Sequence, residues 1–263
     1  MKPIKPYINL LFLCSIFLLI PFVSAHSLKD AIESTDRSEK NVARDQYRNP
    51  YETLSFFGIK QEMSVVELSP GGGWYTEILA NYIHSPGKLI AAHFDRDSKR
   101  DFYIRMRNNF EDKINKNPMY KDVSVVDLSS KLADPGSIDA VLTFRNLHNW
   151  IGPQIDIIFA NSHKALKKGG VLGIVEHRAD PGTSLEEMKK TGYVTEEYAI
   201  ETAKKHGFML VAKSEINANP KDTKNYTRGV WTLPPVLRLK EQDKETYLNI
   251  GESDRMTLLF RKL

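Results

Sequence analysis

A glycine-rich turn with an acid just before it is the most chemically informative segment of this 263-residue chain. Residues 65–73 read VVELSPGGG, and a helix is predicted over residues 75–83. A buried strand that turns through glycines into a helix brings backbone N–H groups close to a bound ligand. The acid, Glu67, would repel a phosphate at this point and attract a cationic ligand. We therefore predict a ligand site formed by Glu67, Ser69, Pro70, Gly71, Gly72 and Gly73.

Other glycine-rich motifs fit this turn less well. A dinucleotide-binding fingerprint would place a small residue where Thr76 stands. A phosphate-binding loop would need a lysine, and none occurs between Lys60 and Lys88. S-adenosylmethionine, which carries an ammonium and a sulfonium group, suits the acid better. The alternative is a strand, turn and helix in which the glycines only permit the tight turn.

The composition excludes several classes of function. The formal net charge is +4, and no basic stripe with interleaved aromatic side chains is present, so no nucleic-acid partner is expected. Cys14 is the only cysteine and lies in an apolar leader. The rest of the chain therefore offers no disulfide, no thiolate nucleophile and no cysteine ligand for a metal.

The first 25 residues have the pattern of a secretory signal peptide. Lys2 and Lys5 precede an apolar run over residues 8–22, and small residues over 23–25 precede the expected cleavage. This run is shorter than the roughly 20 residues that a membrane-spanning helix needs, so an uncleaved anchor is the less favoured alternative. We expect a signal peptide over 1–25, a single domain over 26–263, and an exported protein, periplasmic or secreted, with no stable membrane insertion after cleavage.

Strands alternate with helices along the mature chain. The predicted strands cover residues 64–69, 88–94, 123–128, 138–144, 171–175, 209–214 and 255–261, and the predicted helices 75–83, 98–116, 155–166 and 195–206. This alternation predicts an α/β fold with a doubly wound, mostly parallel sheet. Residues 26–47 predict an N-terminal helical extension, and residues 217–251, which contain three prolines, predict a loop-rich C-terminal excursion near the site.

Several further motifs occur together in one chain. They are RDxYRNP at 44–50, PGGGWY at 70–75, NLHNW at 146–150, EHRA at 176–179, GYV at 192–194, NANPKD at 217–222 and GESDRM at 251–256. With these motifs the chain resembles the class I S-adenosylmethionine-dependent methyltransferases, and more narrowly the exported bacterial methyltransferase-like proteins that carry a signal peptide. The resemblance covers nearly the whole mature chain. It implies a Rossmann-like fold, S-adenosylmethionine as cofactor, and methyl transfer.

The resemblance also implies cofactor contacts beyond the glycine turn. The superfamily prefers glycine where Ser69 stands, and it places a ribose-binding acid at the position of His93. Asp95 faces the same side of an extended strand as His93 and could substitute for that acid. At the end of the third strand, Asp127 could accept a hydrogen bond from the adenine amine while Leu128 packs on the ring. The alternative is that these strand-end residues contact no ligand.

Two histidines are the candidates for catalysis. His148 follows the fourth strand and could remove a proton from an attacking oxygen or nitrogen. His177 follows the fifth strand, at the same edge of the sheet. Either could instead hydrogen-bond a loop. No local spacing supports a metal site formed by the two histidines, so no metal is expected.

These observations predict S-adenosylmethionine-dependent methyl transfer to a small-molecule acceptor. The main alternative is a non-catalytic binding protein that kept the fold and lost turnover. An oxidoreductase with a nicotinamide cofactor is less favoured because of Glu67 and Thr76.

We predict that the native protein begins near His26, since the residues before it read as a cleavable leader. N-terminal sequencing of protein purified from its host measures this directly. An intact Met1 or Lys2 at the N-terminus would contradict the signal-peptide interpretation.

Overall fold

The fold is built on a seven-stranded sheet. The computed structural model describes residues 27–263 of the chain. The predicted signal peptide lies outside the described residues. The strands are β1 Ser64–Leu68, β2 Lys88–His93, β3 Val123–Asp127, β4 Ile138–Phe144, β5 Leu166–His177, β6 Phe208–Ser214 and β7 Arg255–Lys262. Their spatial order is β3-β2-β1-β4-β5-β7-β6, and only β7 runs antiparallel to its neighbours. The predicted doubly wound, mostly parallel sheet is confirmed.

Helices flank the sheet and precede it. They are α1 Leu28–Glu33, α2 Glu39–Val42, α3 Asp45–Arg48, α4 Pro50–Phe56, α5 Trp74–Tyr82, α6 Asp101–Lys116, α7 Leu147–Trp150, α8 Pro153–Ala165, α9 Leu185–Thr191, α10 Glu196–Lys205 and α11 Lys244–Ile250. The N-terminal extension is thus four short helices. Asn49 separates α3 from α4 in the left-handed conformation, which asparagine tolerates, and Pro50 suits the first position of α4. Within residues 27–263, no helix has the length and apolar character that crossing a membrane requires.

Both faces of the sheet are buried, as its near-continuous apolar strands require. On one face, Phe159 of α8 and Ala203 of α10 lie in a large apolar cluster with strand residues. On the other face, Phe57 after α4 and Ile78 of α5 pack against the sheet. The sheet is therefore fixed from both sides, which leaves its edges for binding.

The carboxyl ends of the strands bring distant segments together. Leu68 at the end of β1 pairs with Thr143 near the end of β4, so the residues that follow both strands lie side by side. His177 at the end of β5 pairs with Arg255 at the start of β7. The loop before β7 therefore reaches the same edge as the glycine turn.

Strand β5 is longer than predicted. It begins at Leu166 because Leu166 pairs with Ile138, and the ladder then resumes at Val171 opposite Ala140 after a register shift. The polar and glycine-rich residues 167–170 lie in this irregular section. Such a composition reads as a loop in sequence, although the backbone here continues the strand.

We predict that Gly173→Ala destabilises the fold whereas Gly72→Ala does not. A Cβ at Gly173 would lie 2.8 Å from Leu142 Cδ2 and 2.9 Å from the Phe57 ring, so the core would have to shift. Overpacking of this kind costs about 1–3 kcal/mol. A Cβ at Gly72 meets no atom within 4 Å. Thermal melts of both variants test the contrast, and a Gly173→Ala protein as stable as the parent would contradict the packing.

Candidate functional site

The glycine turn leaves β1 and enters α5 through a strained backbone. Gly71 and Gly73 have φ values of 60° and 78°, and Ser69 has a φ of 50°. This left-handed region is open to glycine but strained for residues with a side chain. Ser69 therefore occupies a position whose conformation favours glycine, which is a physical reason for the superfamily's preference there.

Neighbouring strands hold this turn in place. The backbone N–H of Phe94 donates to His93 Nδ1 at 2.8 Å, so the ring proton of a neutral His93 lies on Nε2 and is donated to the Gly71 carbonyl at 3.1 Å. Burial lowers the pKa of His93 to about 4, so this ring is neutral at pH 7. From β4, the Asn146 amide donates to the Ser69 carbonyl at 3.1 Å. His93 thus supports the turn from within, at the position where a ribose-binding acid was expected.

The carboxylate of Glu67 lies beneath the turn. The Thr76 hydroxyl, in the first turn of α5, donates to Glu67 Oε2 at 2.6 Å. Burial raises the pKa of Glu67 to about 7, so near neutral pH the group carries only part of its charge. The structure thus brings Glu67 to the turn, but its side chain joins β1 to α5 and does not line the adjoining cavity.

A cavity of about 470 Å³ opens above the turn, at the carboxyl edge of β1 and β4. It is lined by Lys40, Asn41, Arg44, Arg48, Ser69, Pro70, Gly71, Gly72, Trp74, Phe144, Arg145, Asn146 and Pro235. The Ser69 hydroxyl is buried and has no hydrogen-bond partner among residues 27–263. Because a Cβ at Gly72 would meet no atom, the backbone there is open to whatever the cavity holds.

A larger hollow, of about 750 Å³, lies at the opposite edge. Its lining includes Lys88, Val123 and Ile138, which are the first residues of β2, β3 and β4. Ligands of open α/β sheets bind outside the carboxyl ends of the strands. We therefore assign the ligand site to the 470 Å³ cavity and not to this hollow.

The other predicted cofactor residues lie at the ends of β2 and β3, outside the cavity lining. Asp95 Oδ1 accepts from the backbone N–H of Ser129 at 2.9 Å, and Asp127 Oδ1 accepts from Arg107 at 3.0 Å. Leu128 is buried in the main apolar cluster. Each thus has an internal partner, and their contacts with ribose and adenine stay predictions.

The structure brings the two candidate catalytic histidines together. The ring centroids of His148 and His177 are 5.3 Å apart. His148 Nδ1 lies 3.0 Å from Glu176 Oε1, and a carboxylate only accepts, so Nδ1 carries the proton and Nε2 keeps a lone pair in the neutral ring. Burial places the pKa of His177 well below its usual value, and His177 Nδ1 hydrogen-bonds the Ser253 hydroxyl.

The C-terminal excursion covers His148. The Trp231 ring lies edge-on to His148 with centroids 5.9 Å apart, and the His148 side chain is only 6% exposed. His148 does not line the cavity, although Arg145 and Asn146, which precede it in the chain, do. A role in catalysis for His148 and His177 stays a prediction.

His148, Glu176 and His177 also form a group that could hold a metal ion, with ligand atoms within 4.8 Å of one another. Both oxygens of Glu176 are already engaged, since Oε2 accepts from the N–H of Leu147 and Oε1 from the N–H of His177. The Glu176 carboxylate thus accepts hydrogen bonds from His148, Leu147 and His177.

Sequence reasoning missed a cluster of arginines around Glu252. The nearest guanidinium nitrogens lie 2.7 Å from the Glu252 carboxylate in Arg44, 3.1 Å in Arg48, 3.3 Å in Arg255 and 3.8 Å in Arg145. Burial alone would raise the pKa of Glu252, but the arginines lower it to about 2. The sequence feature that could have indicated this cluster is the spacing of Arg44 and Arg48, which are four residues apart and so share a helical face.

No protein-family model matches the sequence, and no curated protein does either. Solved structures do match. An S-adenosylmethionine-dependent methyltransferase from Aquifex aeolicus is 16% identical, with 90% of this chain and 99% of that chain covered and a TM-score of 0.57. A geranyl diphosphate C-methyltransferase from Streptomyces coelicolor, solved with Mg²⁺, geranyl diphosphate and S-adenosylhomocysteine, is 12% identical, with 89% of each chain covered and a TM-score of 0.58.

A further structure, the [4+2]-cyclase SpnF, is 14% identical, with 88% of this chain and 85% of that chain covered and a TM-score of 0.59. At these identities the likeness establishes the fold, which is the Rossmann-like fold of S-adenosylmethionine-dependent methyltransferases. A cyclase among the similar structures illustrates that a fold can carry more than one reaction.

We predict that the stability of Glu67→Gln, measured relative to the parent, increases as the pH rises. The folded pKa of about 7 exceeds the ordinary value of 4.5, so protonation stabilises the folded state below pH 4.5 and this contribution is lost as pH rises through 7. Glutamine has no proton to lose. The stability of Glu67→Gln relative to the parent should therefore rise by up to about 3 kcal/mol between pH 5 and pH 8.

Denaturant unfolding at several pH values measures this difference. Glu62→Gln is the matched control, because Glu62 is exposed and its substitution should give a difference that does not change with pH. A Glu67→Gln difference that is equally flat would contradict the buried, protonatable state of Glu67.

Proposed function

We propose that this protein binds S-adenosylmethionine in the cavity above the glycine turn and transfers its methyl group to a small-molecule acceptor. The observation that carries the proposal is the open backbone at Gly72 beside the unpartnered hydroxyl of Ser69. Both lie at the carboxyl edge of a sheet whose fold is shared with S-adenosylmethionine-dependent methyltransferases.

The residues at the cavity suit this cofactor. Its volume lies in the range of small-ligand sites. Gly71 and Gly72 offer backbone N–H groups with no side chain, and Ser69 offers a hydroxyl that has no hydrogen-bond partner within residues 27–263. Glu67 acts from beneath by fixing the start of α5. We propose that Asp95, Asp127 and Leu128 meet the ribose and adenine, since they end the two adjacent strands.

When bound, S-adenosylmethionine supplies an electrophilic methyl group, whose carbon bonds to the acceptor while the electrons of the broken C–S bond return to sulfur. The chain's main contribution is to hold the acceptor in line. Where the acceptor must lose a proton, His148 Nε2 is the group that receives it, because Glu176 holds the other ring nitrogen. His177 is neutral and hydrogen-bonds Ser253, and its role is to position the carboxyl edge of the sheet.

A binding protein without turnover is the second candidate. It is favoured by the position of His148, which Trp231 covers and which does not line the cavity. Transfer of a labelled methyl group from S-adenosylmethionine to small molecules extracted from the host separates the two candidates. Tight binding with no labelled product would favour the binding protein.

We also propose that the protein acts outside the cytoplasm, in the periplasm or the secreted space, as a member of the exported methyltransferase-like proteins. The support is the basic and then apolar pattern of residues 1–25.

We predict that Gly72→Val weakens the binding of S-adenosylhomocysteine by more than about tenfold, or roughly 1.4 kcal/mol. The branched side chain would enter the open space of the cavity, and φ at Gly72 lies outside the left-handed region, so the fold should tolerate it. Titration calorimetry measures the affinity.

Ser124→Val is the matched control, because it places the same valine side chain at the hollow on the opposite edge of the sheet. Its affinity should equal that of the parent. If Gly72→Val binds as the parent does, or if Ser124→Val loses binding, the cofactor site is not at the glycine turn.

A further inference from the structure

The cavity above the glycine turn carries an excess of positive charge. Of residues 27–263, Lys40, Arg44, Arg48 and Arg145 line it, and no acid does. The buried carboxylate of Glu252 lies behind the arginines. Four arginines share this one carboxylate, so the cluster has a net charge of +3, from four positive charges and one negative.

Several guanidinium nitrogens of this cluster have no partner. Nη1 and Nη2 of Arg48 and Nη2 of Arg44 are buried without a hydrogen bond within residues 27–263. The Arg48 side chain is 1% exposed, and its guanidinium lies 4.6 Å from the centre of the Trp74 ring. A buried charged donor without an acceptor is destabilising. An anion in the adjoining cavity would supply the missing acceptors.

Arg145 is also held in an unusual conformation. Its φ is 64°, in the left-handed region that residues with a Cβ rarely adopt, and its N–H donates to the Val175 carbonyl at 2.7 Å. Its side chain is 22% exposed, and the residue lines the cavity. Strained residues of this kind concentrate at ligand sites.

The cofactor alone does not balance this charge. S-adenosylmethionine carries an ammonium, a sulfonium and one carboxylate, so its binding adds positive charge to the site. The cofactor has one carboxylate for the three arginines that line the cavity, and the planar fork of a guanidinium matches the paired oxygens of a carboxylate or a phosphate.

We propose that the cavity binds the acceptor through an acidic group, a carboxylate or a phosphate, held by Arg44, Arg48 and Arg145. Identifying the occupant as the acceptor rests on the proposed function, whereas the anion site itself does not. The acceptor is then an organic acid or a phosphorylated compound, and its charge offsets that of the arginines and of the cofactor.

Calorimetric titration with inorganic phosphate tests the site. The parent should bind phosphate, and Arg145→Gln should weaken that binding by at least about tenfold because a charge-assisted contact is lost. Arg44→Gln, whose side chain is 23% exposed in the parent, is the second variant and should behave alike. Arg96→Gln is the control, since Arg96 is 66% exposed, pairs with Glu111 and lies outside the cavity. It should leave the affinity unchanged.

The same titrations in saturating S-adenosylhomocysteine identify the source of the anion. Unchanged or tighter phosphate binding supports an acceptor site. If S-adenosylhomocysteine displaces phosphate, the arginines bind the cofactor's carboxylate, and the proposal is overturned. The proposal is also overturned if the parent does not bind phosphate, or if both cavity variants bind phosphate as tightly as the parent. If S-adenosylhomocysteine itself does not bind, the proposed function fails while the phosphate result still decides the anion site.

Discussion

The single carboxylate of Glu252 joins three parts of the chain that are far apart in sequence. Arg44 and Arg48 reach it from the N-terminal helices, Arg145 from the end of β4, and Arg255 from the first residue of β7. Arg48 and Arg255 are buried, so they depend on this partner for compensation, and removal of a buried partner is strongly destabilising. The N-terminal extension and the last strand are thereby fixed at the edge where the glycine turn lies.

At this edge of the sheet, acidic and basic side chains lie at different depths. Acids lie behind the surface: Glu67 beneath the turn, Glu176 behind His148 and Glu252 behind the arginines. The groups that face the cavity are cationic or neutral. A ligand therefore meets guanidinium groups and open backbone, while the carboxylates fix the positions of the groups that it meets.

Much of this architecture was predictable from local pattern. The strands were located because buried parallel strands read as short apolar runs, and the turn at Gly71 was located because glycines between a strand and a helix have few other roles. The N-terminal part of β5 was missed because its lysines and glycines read as a loop. The pairing of Arg44 with Glu252 was missed because 208 residues separate them, and no local periodicity reports so distant a contact. His93 read as a replaced ribose ligand, but its two hydrogen bonds turn it toward the glycine turn.

A crystal structure of the protein with S-adenosylhomocysteine tests the central claim most directly. We expect ligand density in the 470 Å³ cavity, against Gly71 and Gly72 and within hydrogen-bond distance of the Ser69 hydroxyl. Density in the hollow at the amino ends of the strands, or none in a protein whose affinity for the ligand has been measured, would contradict the assignment of this cavity as the cofactor site.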